Sequence, residues 1–190
     1  MPALWTKTIE GHRAEVREAV LDAAASLAAQ HGLRGVTMSD VAKAAGIGRA
    51  TLYKYFQSVE LILMAWHERQ IAHHFSQLHE VASADLTAAE RLRRVLQAFG
   101  KISFQNHGSE LAGFLHAGPH MAHAHQHLRA FLGKLIAEAV ATGGLRSDVP
   151  ANELAAYCLH AIGATGELRS DAAVRRLVEV ILAGLTPPAR

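Results

Sequence analysis

The stretch that decides the fold is VTMSDVAKAAGIGRATLYKYF, residues 36–56. Thr37 is a good N-cap with Asp40 at the third helical position, so the pattern predicts a short helix that stops at Gly46. Gly48 is a permissive N-cap for a second short helix, RATLYKYF. Two short helices joined by the tight turn AAGIGR are typical of a helix-turn-helix.

A helix-turn-helix suggests a DNA-binding surface. Its first helix crosses the DNA backbone, and the N-terminal residues of its second helix reach base edges in the major groove. Arg49 is the specificity candidate, because arginine makes paired hydrogen bonds to guanine O6 and N7. Leu52 and Phe56 are expected to face inward. The predicted DNA-binding residues, which include phosphate contacts as well as base contacts, are Thr37, Gly48, Arg49, Ala50, Thr51, Tyr53, Lys54 and Tyr55.

The order of residue types is more specific than the spacing, because helical hairpins with a glycine turn also occur in proteins that never touch DNA. Thr37 is followed by Ala-x-x-Ala-Gly and then by Thr-Leu-Tyr-x-x-Phe. Over about residues 13 to 66 the chain resembles the DNA-binding domain of the TetR family of bacterial transcriptional regulators. The resemblance implies a homodimeric repressor with an N-terminal DNA-binding head and a variable helical domain that binds a small effector.

Two positions depart from the usual pattern of that family. Gly48 stands where members usually carry serine or a similar cap, and Val59 stands where a lysine usually begins the fourth helix. The second departure removes a common phosphate contact, and each lost contact flattens the salt dependence of DNA binding. We therefore expect the DNA affinity to be lower, or to rest more on Lys54 and Arg49.

Composition excludes several other classes of protein. The chain has 190 residues, of which 50% are hydrophobic and 19% charged, so it is not a disordered chain. Its single cysteine, Cys158, cannot form an internal disulfide and is expected to serve packing. No apolar run reaches the roughly 18 residues that span a bilayer, and no secretory signal is visible. We expect a cytoplasmic protein with no membrane partner.

The apolar spacing is helical almost throughout and predicts an all-α fold of about nine helices. A DNA-binding domain is predicted over residues 1–58, and an effector-binding and dimerisation domain over residues 59–190. The predicted sixth helix covers ELAGFLHA, residues 110–117. The predicted eighth helix runs from Pro150 to about Leu168, and the ninth starts at Ser170 or Asp171.

The predicted eighth and ninth helices are the candidates for a dimer interface. Small residues follow their apolar stripes at Ala161, Gly163, Ala164 and Gly166, which lets helices approach closely in a four-helix seam across a twofold axis. The alternative is that the same stripes form an intramolecular core. The dimer is favoured because a protein that reads two half-sites needs twofold symmetry.

An effector pocket between the helices of the second domain is expected to be mostly apolar. Any one of the candidate residues is more often simple core, and no run of the sequence is a recognisable cofactor signature. The predicted lining consists of Trp66, Phe99, Phe104, Phe114, Leu115 and Met121.

Histidine is unusually common, with 13 in the chain and five in HAGPHMAHAHQH, residues 116–127. His120, His123 and His127 share one helical face, and His116 precedes the proline break. Such a stripe suits zinc, nickel or copper, which makes a metal-responsive regulator the alternative hypothesis. A solvated face explains the same residues without metal, since charged side chains continue it.

A metal-dependent helical enzyme is the remaining alternative. No Ser/His/Asp set, HExxH motif or glycine-rich phosphate loop appears in the sequence. We therefore expect neither catalysis nor a cofactor. The leading hypothesis is a repressor that binds a palindromic DNA operator as a dimer and leaves it when a small effector binds.

Overall fold

The structure, a computed structural model, describes residues 3–105 and 120–187, with side chains from residue 11 in the first segment and from residue 121 in the second. Over these residues it contains eight α-helices and no strand, which confirms the predicted all-α class. The predicted sixth helix lies outside the described residues. Within them, no helix is both long and apolar enough to cross a membrane. The helices are α1 (Ala3–His31), α2 (Met38–Ala44), α3 (Arg49–Tyr55), α4 (Val59–Ala82), α5 (Ala88–Gln105), α6 (His120–Ala141), α7 (Ala151–Gly163) and α8 (Asp171–Gly184).

The chain forms two compact units, and the boundary between them falls inside a helix. In the described part, the first unit runs to Gln70 and the second begins at Ile71, so α4 contributes to both. The predicted functional division between residues 58 and 59 lies at the start of the same helix, and it stays a prediction.

The first unit packs around one face of α1. Val20, Leu21 and Ala24 are fully buried, at the spacing of an amphipathic helix. The helix ends at His31 because Gly32 has a φ of 72°, a left-handed conformation that glycine adopts without strain. The buried core of this unit also includes Val41, Leu52, Ile62 and Leu63.

The second unit contains the last part of α4 and the helices that follow it. Gly100 lets α5 approach α8 closely, since a Cβ atom at this position would lie 3.1 Å from Val174 and 3.3 Å from Val178. Cys158 is fully buried in α7, and this burial raises the pKa of its thiol to about 12. The centre of the core is formed by Leu92, Leu96, Leu132, Ile136, Ile162 and Ile181.

The predicted eighth helix runs to about Leu168, and helical structure does extend to Glu167, but its α-helical part ends earlier. The corresponding α7 ends at Gly163 and tightens into a 3-10 turn, Ala164–Glu167. Glycine favours the helix less than any residue except proline, and the tighter turn buries Thr165 completely. The Thr165 hydroxyl donates a hydrogen bond of 2.9 Å to Ser103 Oγ of α5, so a tertiary contact accompanies the end of the helix.

Candidate nucleic-acid interface

The turn between α2 and α3 follows the predicted glycine stop. Gly46 has a φ of 69° after the last turn of α2, so a side chain there would be strained. The Gly46 amide donates to Lys43 O at 3.2 Å, and the Ile47 amide donates to Ala42 O at 3.0 Å. These two bonds form a Schellman motif, which satisfies the carbonyls at the end of α2 and redirects the chain into α3.

A reciprocal capping box fixes the start of α2. The Asp40 amide donates to Thr37 Oγ1 at 3.3 Å, while the Thr37 amide donates to Asp40 Oδ2 at 3.1 Å. The Thr37 hydroxyl also donates to Asp40 Oδ2 at 2.6 Å, and this hydrogen bond is the main cause that lowers the pKa of Asp40. The Thr37 hydroxyl is therefore already engaged by a carboxylate, and its predicted phosphate contact stays a prediction.

The α3 helix has one buried anchor and a broad exposed face. Leu52 is fully buried, as predicted, whereas Arg49, Thr51 and Lys54 are exposed. Of the other predicted contacts, Gly48 precedes the helix without a side-chain cap, Ala50 and Tyr53 are exposed and Tyr55 is half-buried. The predicted DNA-binding residues of α3 thus share a short helix whose inward face is fixed by leucine, and their contacts with DNA stay predictions.

Phe56 follows α3 and is half-buried, with a cation above its ring. The Arg17 guanidinium carbon lies 5.8 Å from the centre of the Phe56 ring, within the range of a cation–π interaction. This contact joins α1 to the end of α3. The sequence predicted that Phe56 faces inward, but it gave no local signal for Arg17 as its partner.

The start of α4 explains one of the two unusual positions in the sequence. Val59 is only 7% exposed, so this valine is part of the core. Ser58 caps the helix by accepting a 3.3 Å hydrogen bond from the Leu61 amide, and its hydrogen bond to Glu60 is the main cause that lowers the pKa of that carboxyl. The first turn of α4 therefore carries an exposed carboxylate, Glu60, directly after the buried Val59.

An ion-pair cluster joins α4 to α1 within the first unit. Arg69 donates through Nη1 to Glu18 and through Nη2 to Asp22, so one guanidinium bridges two carboxylates. Sequence reasoning missed this cluster because the partners are far apart in the chain. The spacing of Glu18 and Asp22 by four residues on α1 was the available signal.

The predicted effector pocket stays a prediction, because part of its lining lies outside the described residues. Trp66, Phe99, Phe104 and Met121 are half-buried, and Phe99 packs against the core of the second unit. Phe114 and Leu115 lie outside the described residues. A cavity of about 460 Å³ lies instead in the first unit, and it is lined by Tyr55, Phe56, Gln57, Leu61, Met64, Ala65 and Glu68. It contains none of the predicted lining residues.

The histidine stripe on α6 is exposed at both positions whose side chains are described. His123 and His127 are exposed, and the His127 ring meets Phe75 edge-on with the ring centres 6.3 Å apart. His116 and the side chain of His120 lie outside the described residues. Among the side chains that the structure describes, no three His, Cys, Asp or Glu residues converge on a possible metal position.

Two family models match the chain. The model for bacterial regulatory proteins of the tetR family matches residues 20–64, which include the helix-turn-helix. The model for the C-terminal domain of SbtR-like transcriptional regulators matches residues 103–187.

Curated relatives match mainly the N-terminal region. The regulator BetI of Agrobacterium fabrum is 36% identical over 90 residues, which cover 47% of this chain and 42% of the relative. The uncharacterised HTH-type transcriptional regulator Rv1255c of Mycobacterium tuberculosis is 39% identical over 66 residues, or 34% of this chain and 33% of the relative. The matched part of the chain thus spans less than half the length of these curated relatives.

Solved structures are similar over nearly the whole chain. A TetR/AcrR-family regulator from Thermobifida fusca has a TM-score of 0.73 at 21% identity and covers 88% of this chain and 97% of its own. The TetR regulator SCO0520 from Streptomyces coelicolor has a TM-score of 0.62 at 26% identity, covering 91% and 99%. This similarity shows the fold, and the two family models, which match residues 20–64 and 103–187, identify the family. The chain belongs to the TetR family of bacterial transcriptional regulators.

Proposed function

We propose that this protein is a one-component transcriptional repressor that binds a palindromic operator as a homodimer. The observation that carries the proposal is the exposed face of α3. The buried Leu52 anchors the opposite face of this helix in the core, and the left-handed Gly46 lies in the turn that precedes it. A short helix held in this way can enter the major groove without losing its own packing.

The roles proposed for the α3 side chains follow from their chemistry. Arg49, the first residue of the helix, reads guanine through two hydrogen bonds, and Thr51 contacts a base edge or a thymine methyl group. Lys54 and Tyr53 contact phosphates, and they position the helix without selecting a sequence. The proposed DNA-binding domain covers residues 1–58, and residues 59–190 bind the effector and form the dimer.

The dimer interface is proposed for α7 and α8, which correspond to the predicted eighth and ninth helices. Tyr157 on α7 is 42% exposed and Val180 on α8 is 63% exposed, so both helices carry large apolar side chains on the protein surface. Burying such side chains against a second copy is favourable, and twofold symmetry places one α3 at each half-site.

A small effector is proposed to release the protein from DNA. The effector has to bind the DNA-free conformation more tightly, since a ligand shifts an equilibrium only through its different affinities for the two states. Two similar folds were solved with acyl-CoA molecules: FadR of Bacillus subtilis with stearoyl-CoA, and AibR with isovaleryl coenzyme A and operator DNA. Acyl-CoAs are therefore suitable first compounds for an effector screen. The protein acts in the cytoplasm and without catalysis.

The test is a DNA footprint over the region that flanks the gene, at two salt concentrations, with the wild-type protein, Arg49→Ala and Arg94→Ala. Arg94 is a matched control because it is an exposed arginine of α5 in the second unit. We expect a twofold-symmetric protected palindrome with the wild type and Arg94→Ala. Loss of one bidentate arginine–guanine contact costs about 1–3 kcal/mol of discrimination per half-site, so Arg49→Ala should lose the pattern. Absence of protection by the wild type at low salt would contradict the proposal.

A further inference from the structure

We propose that Arg69 is a positioning residue for operator binding, because its bridge to Glu18 and Asp22 fixes the direction in which α4 leaves the DNA-binding unit. The inference deepens the proposed function and rests on it. Arg69 does not touch DNA in this proposal, and acts through the helices that it joins.

The geometry of the bridge is that of a fork. Glu18 and Asp22 lie one helical turn apart on α1, and the two terminal nitrogens of Arg69 each donate to one of them. A planar guanidinium suits two separate acceptors, whereas the ammonium group of lysine is a point charge. The Arg69 side chain is 27% exposed, so the interaction is partly shielded from water.

The bridge attaches α4 to α1 beyond the buried first turns of α4. Val59, Ile62 and Leu63 are buried and fix the first two turns of α4. Arg69 holds the helix almost two turns further on, directly before the boundary between the two units at Gln70. A further attachment along the axis restricts the directions that a helix can take.

The helix on the other side of the bridge carries the DNA-binding elements. α1 contacts α2, and α2 contacts α3, so fixing α4 on α1 also fixes α4 relative to the recognition helix. Without the bridge, α4 should sample several directions, and fewer molecules should present two heads at the spacing of two half-sites. The apparent operator affinity is then the intrinsic affinity multiplied by the fraction of molecules that are competent to bind.

The charges of the bridge allow a direct test against a simple electrostatic effect. Arg69→Met makes the unit more negative by one charge, whereas the double variant Glu18→Gln with Asp22→Asn makes it more positive by two. Electrostatics alone predicts opposite changes in DNA affinity for these two variants. Positioning predicts that both lower the ratio of operator affinity to affinity for unrelated DNA.

The experiment measures fluorescence anisotropy of full-length variants with the footprinted operator and with a scrambled duplex of equal length, at one salt concentration. We expect Arg69→Met and the double variant each to lose about tenfold in the affinity ratio, the size of a typical coupling between contacting groups. Combining all three substitutions should cost no more than Arg69→Met alone. Arg94→Met, the matched control, should keep the wild-type ratio.

Amide hydrogen exchange on the free protein distinguishes a local loosening of α4 from a general loss of folding. Arg69→Met should raise exchange along the middle of α4 and leave the buried part of α1 protected. If Arg69→Met does not fold, Arg69→Lys keeps the charge and decides: a reduced ratio supports the fork, and an unchanged ratio overturns it. Ratios that follow net charge in opposite directions would also overturn the proposal. If the wild type fails to bind the operator, the proposed function falls and this inference falls with it.

Discussion

The cations of α3 have two different tasks in the proposed complex. Arg49 stands at the start of the helix, where a side chain reaches base edges, whereas Lys54 stands in its last turn. Both side chains are exposed, so neither contributes to the core of the first unit. Their substitution should therefore affect DNA binding without unfolding the protein, and it should do so in distinguishable ways.

Replacing Lys54 with alanine should weaken binding to the operator and to unrelated DNA by the same factor, because a phosphate contact carries no sequence information. The slope of log affinity against log salt should become shallower by about one for each protomer that loses a phosphate contact. Anisotropy titrations at four salt concentrations measure both quantities. Lys134→Ala removes another exposed lysine, from α6, and should change neither. A loss confined to the operator would show that Lys54 reads bases.

Val59 illustrates what the sequence could and could not predict for a single residue. The family pattern indicated a missing phosphate contact at this position, and that expectation concerns DNA alone. The structure adds that the valine is buried and that the neighbouring Glu60 is exposed. Whether a side chain at a helix end faces solvent depends on the packing of α4 in the first unit, which local sequence does not encode.

At the scale of single helices, the capping box of α2 makes a pH-dependent contribution to stability. Hydrogen bonds from Thr37 lower the pKa of Asp40, so the folded protein favours the ionised carboxylate. A depressed carboxyl pKa stabilises the fold above the ordinary pKa of about 3.9, and this stabilisation is lost as the pH falls through the folded-state value. Asp40→Ala should therefore lower Tm at pH 7, with a smaller difference from wild type at pH 3.

Thermal unfolding followed by circular dichroism at both pH values measures this difference. Ser39→Ala is the control, since Ser39 is an exposed neighbour in the same turn of α2. It should leave Tm unchanged at either pH, apart from the small gain that alanine brings to a helix. A pH-independent deficit in Asp40→Ala would contradict the role of the charge.

The close approach of α5 to α8 predicts an unusual response to alanine. Gly100→Ala gains about 1 kcal/mol of helix propensity, but its Cβ would press on buried Val174 and Val178, and overpacking costs about 1–3 kcal/mol. We expect net destabilisation in urea denaturation. Adding Val174→Ala should relieve the crowding, so the two substitutions should not be additive.

Gly133→Ala is the matched control for that experiment. Its Cβ would lie 3.9 Å from Ala155 of α7, an ordinary contact, so this helical glycine should accept alanine and gain stability. Equal effects at the two positions would contradict the packing argument for Gly100.

Helix ends were predictable where local residues determine them. Gly32, Gly46 and the Thr37 cap all act within a few residues, and the structure places the helix ends at or next to these signals. The end of α7 was not predictable in this way. It coincides with the burial of Thr165 against Ser103 of α5, a contact between residues distant in the chain.

At the scale of the whole molecule, the proposed dimer makes a direct prediction. Val180→Glu places a charge on the exposed apolar face of α8, and burying an unpaired charge in an interface is strongly unfavourable. Sedimentation velocity should show a dimer for the wild type and a monomer for this variant. Leu61→Glu, at a site 45% exposed on α4, is the control and should remain a dimer. A dimeric Val180→Glu protein would place the interface elsewhere.

The helix-turn-helix could be predicted from the sequence, whereas the effector pocket stays a prediction. The helix-turn-helix is contained in 21 consecutive residues, 36–56, so its pattern is local. A pocket is assembled from separate helices, and the predicted lining residues are divided between the two units, with Trp66 in the first and Phe99 and Met121 in the second. Aromatic residues on helices indicate burial, but they do not tell a core from a cavity.

The continuity of α4 has a consequence for how such regulators can recombine. No glycine or proline interrupts Val59–Ala82, so the helix keeps one register of about 3.6 residues per turn from end to end. Inserting one residue within it would rotate everything beyond by about 100°, whereas seven residues would nearly restore the phase. Exchange of DNA-binding units between relatives should therefore succeed when the junction keeps the number of residues in α4 unchanged, and fail when it adds or removes one or two.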